Sequence, residues 1–176
     1  MTYAFILYNF WSAKRRFMAE KIKKTNAARL LDQKHIVYGL IPYEVSEIEL
    51  GAEHVAEMLK EPIERVFKTI LLRGDKNGLL VGVVPGDKEI NLKTIAALSA
   101  NKKVEPVAVK ELLPLTGYIR GGCSPVGMKK PYPVYLHETA MNFDYIFVSA
   151  GQRGLQLKIA PKDLVLAVDA KVASLI

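Results

Sequence analysis

Between Thr116 and Lys130 the chain reads TGYIRGGCSPVGMKK, four glycines and a proline in fifteen residues. A stretch of this kind reads as a loop, and the rest of the fold has to hold it. Gly117, Gly121, Gly122 and Gly127 let the backbone take positive φ or lie close against a ligand. Pro125 fixes one φ and removes one N–H, which bends the loop without leaving it limp. Two adjacent glycines also expose successive backbone N–H groups, a geometry suited to a carbonyl oxygen, an oxyanion or a phosphate. Arg120, Lys129 and Lys130 add positive charge at both edges. The plainer reading, a surface turn between two strands, fits the composition equally well.

Half of the 176 residues are apolar, enough to bury a sizeable core in one domain and too many for a disordered chain. The net charge of +7 asks for an anionic partner, but its distribution is uneven. Residues 1–24 hold six Lys/Arg against one Glu, leaving only +2 for the remaining 152 residues. In that body, residues 44–64 carry seven Glu and one Lys, while 102–130 carry six Lys/Arg and two Glu. One side of the fold is therefore expected to face an anion. Cys123, the only cysteine, makes no internal disulfide, so an oxidising compartment is not required. His35, His54 and His137 lie far apart without HxxxH or CxxC spacing, and no metal site is expected.

In residues 1–24 a short apolar run precedes the basic residues, the reverse of a signal peptide. It is also shorter than the roughly 20 apolar residues of a spanning helix. It reads as an appended basic and apolar extension, with a membrane-surface or RNA-contacting role as a lesser alternative. The folded body is expected from Thr25, the N-cap of a helix NAARLLDQKH with Ala27, Ala28, Leu30 and Leu31 inward. A strand over Val37–Tyr43 follows, then a helix over Gly51–Leu59 with Val55, Ala56, Met58 and Leu59 inward, then a helical turn opened by Pro62. Lys68–Arg73 and Leu79–Val84 form a hairpin across GDKNG. Asn91 caps a helix whose inner face is Leu92, Ile95, Ala96 and Leu98, and Lys110–Leu113 makes a short turn. Val134–Leu136 and Asp144–Ser149 read as strands, the second buried on both sides. LQLKIA alternates as a half-buried strand with Gln156 and Lys158 outward, and Pro161 opens a final helix. Hairpins outnumber βαβ crossovers, which predicts an α+β fold with a mixed sheet.

Lys68 stands at the start of the apolar strand VFKTILL. It either extends to solvent or faces a cavity that needs a cation. Thr69 beside it either donates a hydrogen bond or packs as a β-branched strand residue. VFKT (66–69), TGYIRGGCSPVGMKK (116–130) and SAGQRGLQL (149–157), in that order and at those spacings, resemble the YbaK/EbsC family of Cys-tRNA(Pro) deacylases. These are relatives of the editing domain inserted in bacterial prolyl-tRNA synthetases. The resemblance covers roughly Thr25–Ile176.

That resemblance implies one YbaK-like domain over 25–176, with a mixed, largely antiparallel, open barrel-like sheet and surrounding helices. It implies a cytoplasmic editing enzyme without a cofactor, which in trans hydrolyses the ester between cysteine and the 3′ end of tRNA(Pro). Its partners would be the tRNA(Pro) acceptor end and prolyl-tRNA synthetase, with no membrane partner. Lys68 becomes the substrate-positioning cation, and Gly121 supplies backbone contacts to the carbonyl. Tyr43, Thr69, Gly122, Ser149, Gly151 and Gln156 become substrate-binding positions, and Arg120, Lys129 and Lys130 contact the tRNA. The chain shows no Ser/His/Asp or Cys/His constellation. In the family the substrate's own thiol attacks the ester carbonyl, so Cys123, at a place where the family usually carries an aliphatic residue, is expected to pack as a small hydrophobe. Gln156 stands where the family commonly has Asp, which leaves an alanine or other small-residue substrate open. The competing reading is a catalytically silent module that captures tRNA ends or docks on prolyl-tRNA synthetase.

Overall fold

The computed structural model describes residues 22–46 and 51–176. The extension expected over 1–24 thus lies, apart from its last three residues, outside the described residues.

Helix α1 (Asn26–Gln33) starts where a side chain takes up a free N–H: Thr25 Oγ1 accepts from Ala28 at 3.2 Å, and Ala27, Ala28 and Leu31 are buried. Strand β1 spans Tyr38–Pro42, with Val37 left exposed before it. Helix α2 (Ala52–Leu59) buries Val55 and Ala56, whereas Met58, expected inward, is 42% exposed. A 3-10 turn over Ile63–Arg65 follows Pro62 and delivers the chain into β2 (Phe67–Gly74). Strand β3 (Gly78–Pro85) pairs antiparallel with it, Lys68 opposite Val84 and Gly74 opposite Gly78. The intervening loop is held from outside: Asn101 Oδ1 accepts the N–H groups of Lys76 and Asn77 at 3.0 and 2.9 Å.

In α3 (Leu92–Leu98), Asn91 Oδ1 caps Lys93 and Thr94, and the inner face narrows to Ile95 and Ala96, with Leu92 and Leu98 exposed. Strand β4 (Val104–Pro106) is a short edge. The turn expected at Lys110–Leu113 is part of a two-turn helix, α4 (Val109–Thr116), which contains Pro114 and ends at Gly117 in the left-handed region. Beyond the glycine-rich loop come β5 (Val134–His137), a 3-10 turn (Glu138–Asn142), β6 (Ile146–Ser149), β7 (Leu155–Ile159), α5 (Pro161–Val168) and β8 (Lys171–Ala173).

The strands form two open sheets instead of one. The smaller has the order β1-β7-β6 and is antiparallel throughout. The larger, β4-β2-β3-β5-β8, is antiparallel across β4, β2 and β3 and parallel from β3 through β5 to β8. Val66, just ahead of β2, bridges in parallel to Phe147 of β6 and ties the sheets together at a seam. Phe67, Leu71, Val81 and Val83 of the larger sheet share one core with Ile146, Val148, Leu155 and Leu157 of the smaller. The result is mixed and largely antiparallel, with helices around it.

Candidate active site

A cavity of about 510 Å³ opens beside the seam, in the size range of small-molecule sites. Strand β2 contributes Phe67, Lys68, Thr69 and Ile70, β6 contributes Ser149 and β7 contributes Gln156. Arg120, Gly121 and Cys123 come from the glycine-rich loop. The start of α2 and the segment Gly86–Glu89 after β3 close the remaining side. Residues more than 100 positions apart in sequence are thereby placed around one space.

The glycine-rich loop is a packed element, not a surface turn. Tyr118, Ser124 and Val126 are buried in it. The Tyr118 hydroxyl donates to the Val126 carbonyl at 2.7 Å, with the Gly127 carbonyl 3.0 Å away. Thr116 Oγ1 accepts the Tyr118 N–H at 3.0 Å and donates to Leu112 at 2.7 Å, continuing α4 into the loop. Two glycines fit where no side chain would. Gly122 lies flat on the turn after β6, where a Cβ would come within 3.1 Å of the Gln152 and Arg153 backbone. Gly151, at φ +98°, abuts the Tyr118 ring. Arg153 Nε completes the interlock by donating to the Arg120 carbonyl at 2.9 Å.

Of the two successive glycine N–H groups, Gly122's is spent inside the loop, donating to the Ile119 carbonyl at 3.0 Å. Gly121, at φ +82°, lines the cavity, and its N–H has no partner among the described residues.

Lys68 is the cation of the β2 wall. Its Nζ lies 3.0 Å from Glu89 Oε1; the Lys68 side chain is 28% exposed, whereas that of Glu89 is 90% exposed. Both readings of the lysine therefore hold at once: it lines the cavity and reaches its rim. Thr69 and Gln156 are more telling. Among the described residues three buried side-chain polar atoms lack a hydrogen-bond partner, and two of them, Thr69 Oγ1 and Gln156 Oε1, belong to residues that line this cavity. Alternation along β2 puts Thr69 on the same side as the core residues Phe67 and Leu71. Gln156 is only 5% exposed because β7 is the central strand of its sheet and its outward-facing side is covered by the cavity wall. Simple alternation had put it in solvent. Unpartnered buried polar groups cost about 1–3 kcal/mol each, a cost that folding alone gives no reason to retain.

This cost has a measurable sign. Thr69→Val keeps the shape and removes the unpaired hydroxyl. It is expected to stabilise the fold by about 1 kcal/mol, or roughly 2–4 °C in Tm for a chain of this size. A fall in Tm would mean that the hydroxyl is satisfied in solution and not held ready for a ligand.

Cys123 lines the cavity, but burial pushes its thiol up to about 11. Burial likewise raises Tyr118 to about 12, with the nearby Cys123 adding to it. Neither is a ready nucleophile at neutral pH, since reactivity follows the thiolate fraction. Among the described residues no group of three or more His, Cys, Asp or Glu side chains is placed to hold a metal ion.

The cavity thus brings together Lys68, Thr69, Arg120, Gly121, Ser149 and Gln156. Tyr43 stands next door, in a small recess that shares Val55 and Gly121 with the cavity and also includes His54 and Arg153. Gly122 and Gly151 shape the loop from behind. Lys129 covers Gly117 and donates to the Pro114 carbonyl at 3.4 Å, and Lys130 borders a separate apolar hollow beside α1 and α5. Sequence reasoning had not singled out Arg153 or Glu89. Arg153 lay within a quoted motif and was the available signal; Glu89 had none, because its pairing with Lys68 depends on the return of the chain after β3.

A family model described as an aminoacyl-tRNA editing domain matches residues 50–166. The chain is 45% identical over 153 residues to EbsC of Enterococcus faecalis, named as a candidate Cys-tRNA(Pro)/Cys-tRNA(Cys) deacylase, covering 87% of this chain and 93% of that protein. It is 31% identical over 117 residues to the proline–tRNA ligase of Lactobacillus gasseri, but spans only 20% of that enzyme. A crystal structure described as a candidate trans-editing enzyme for prolyl-tRNA synthetase superposes with a TM-score of 0.73 at 23% identity, covering 87% of this chain and 98% of the other.

Proposed function

Because the chain belongs to the aminoacyl-tRNA editing domain family, we propose that it acts in trans to hydrolyse the ester of mischarged Cys-tRNA(Pro). The observation that carries this reading is a cavity equipped to bind and orient but not to attack. It offers a cation at Lys68, an N–H at Gly121 that has no partner among the described residues and the polar side chains of Thr69 and Gln156, while its only thiol is held protonated. A site without its own nucleophile suits a substrate that carries one. Cysteine's thiol, with an ordinary pKa of about 8.5, supplies some thiolate near neutral pH.

In this reading the substrate sulfur bonds to the ester carbonyl carbon, the carbonyl electrons move onto oxygen, and the Gly121 N–H stabilises the oxyanion. Collapse breaks the bond to the ribose oxygen, which takes up the proton released by the thiol. The cyclic thioester is then opened by water to free cysteine. The protein contributes orientation and charge stabilisation. The need for such an enzyme is physical, because a synthetase pocket rejects poorly what fits its shape, and a second site must discard it. The working environment is the cytoplasm, and selection of tRNA(Pro) is shared with prolyl-tRNA synthetase. No helix among the described residues is long and apolar enough to cross a membrane.

The test is deacylation of Cys-, Ala- and Pro-tRNA(Pro) by the protein and by Cys123→Ala. Release of cysteine alone is expected, with the variant within about tenfold of the parent, whereas loss of a covalent nucleophile costs many orders of magnitude. Preferential release of alanine would keep the reaction and overturn the substrate-thiol mechanism. No release from any of the three would leave a binding module.

A further inference from the structure

Among the described residues Arg153 is a cation without a counter-ion. Its Nε is committed to the Arg120 carbonyl at 2.9 Å, which fixes the plane of the guanidinium, and its four Nη N–H groups have no partner among the described residues. Neither Arg120 nor Arg153 has a carboxylate partner among the described residues, and both are exposed. Their positions are not accidental in the fold. Gly122 lies directly on the Gln152–Arg153 backbone, so the two loops carrying the arginines are locked to each other. Arg120 borders the main cavity and Arg153 the adjoining recess, with Gly121 shared by both spaces. The two arginines therefore border the two spaces that meet at Gly121, whose N–H is assigned to the oxyanion. The carboxylates of the cavity lining come from the start of α2 and the segment after β3: Glu53, Asp87 and Glu89. Asp87 is paired with Lys88 and Glu89 with Lys68. A polyanion approaching the cavity meets charge-paired side chains on that side and, at Arg120 and Arg153, two cations without a carboxylate partner among the described residues.

We infer that Arg153, together with Arg120, forms a two-guanidinium bracket for the sugar–phosphate backbone of the RNA 3′ end, positioning the aminoacyl ester over Gly121. This inference rests on the deacylase reading and adds to it a binding subsite and a direction of approach. Guanidinium groups suit the task because their forked N–H groups match a phosphate's oxygens, and each such contact adds to the salt dependence of binding.

The experiment is equilibrium binding of uncharged tRNA(Pro) transcript over a range of KCl concentrations, alongside single-turnover deacylation. The proteins are the parent, Arg153→Gln, Arg153→Lys and, as a distant control, Lys93→Gln. Arg153→Gln is expected to weaken binding about five- to tenfold and to lower the magnitude of the log Kd against log[salt] slope by about one. The single-turnover rate at subsaturating protein is expected to fall with the binding, by about five- to tenfold. Arg153→Lys should keep the slope, and Lys93→Gln should change neither quantity. An unchanged slope in Arg153→Gln overturns the bracket. So does a lost catalytic rate with the slope intact, since Arg153 would then serve only to hold the Arg120 loop. If the parent binds tRNA but deacylates nothing, the deacylase reading falls while the salt slope still decides the bracket.

Discussion

Lys68→Ala is expected to lower kcat/KM for Cys-tRNA(Pro) deacylation by about 10²–10³, the range seen when one preorganised electrostatic contact is removed from an active site. The structure makes this a clean experiment. The partner of Lys68 is Glu89, whose side chain is 90% exposed, so the substitution leaves a carboxylate already in water rather than a buried unpaired charge. Solvent-exposed ion pairs are worth only about 0–1 kcal/mol, so the fold should lose little. Measuring kcat/KM together with Tm separates the two effects. A rate within threefold of the parent would remove Lys68 from the substrate site. A large drop in Tm would show that the residue serves the fold, and the rate loss would then carry no mechanistic weight.

Gly151→Ala is the larger structural perturbation. At φ +98° an alanine is strained by about 1–2 kcal/mol. Its Cβ would also stand 2.7 Å from Tyr118 Cε1. That ring cannot swing away cheaply, because its hydroxyl is hydrogen-bonded to the Val126 carbonyl at 2.7 Å. Overpacking of this kind adds about 1–3 kcal/mol. A total near 3 kcal/mol corresponds to roughly 10 °C in Tm for a chain of this length. Gly78→Ala is the proper comparison: its φ is +75°, but nothing lies within 4 Å of the added Cβ. Equal destabilisation by the two substitutions would mean that the Tyr118 contact yields freely. Deacylation should also suffer in Gly151→Ala, since pushing Tyr118 shifts the loop that presents Gly121.

Features that depend on neighbours in sequence were legible. The caps at Thr25 and Asn91 follow from a short polar side chain preceding an apolar periodicity, and the β2–β3 hairpin follows from GDKNG between two apolar runs. Strands β4 and β8 were not, because three residues at a sheet edge carry no period. The turn expected at Lys110–Leu113 extends to a helix, α4, because Pro114 stands near its C-terminal end, where a missing N–H disturbs little of it. The site divided along the same line. Lys68 was visible as a charge in an apolar run and the loop as a glycine cluster. Gln156 was placed outward by alternation, because only the tertiary arrangement shows that this side of β7 is covered. The pairing of Lys68 with Glu89 and the seating of Arg120 beside Arg153 join distant segments and leave no local trace.

The seam between the two sheets has a thermodynamic corollary. The sheets share a core, yet among the described residues the one β-bridge between them runs from Val66 to Phe147, and the cavity opens beside that bridge with walls drawn from both. A molecule that touches Lys68 on one sheet and Gln156 on the other acts as a rivet across the joint. Its binding free energy is then added to the work of parting the sheets, growing as RT ln(1 + [L]/Kd). Amide exchange in β1, β6 and β7 should slow when the site is filled, although most of those residues never touch the ligand. In this protein occupancy and cohesion are one quantity measured at two places.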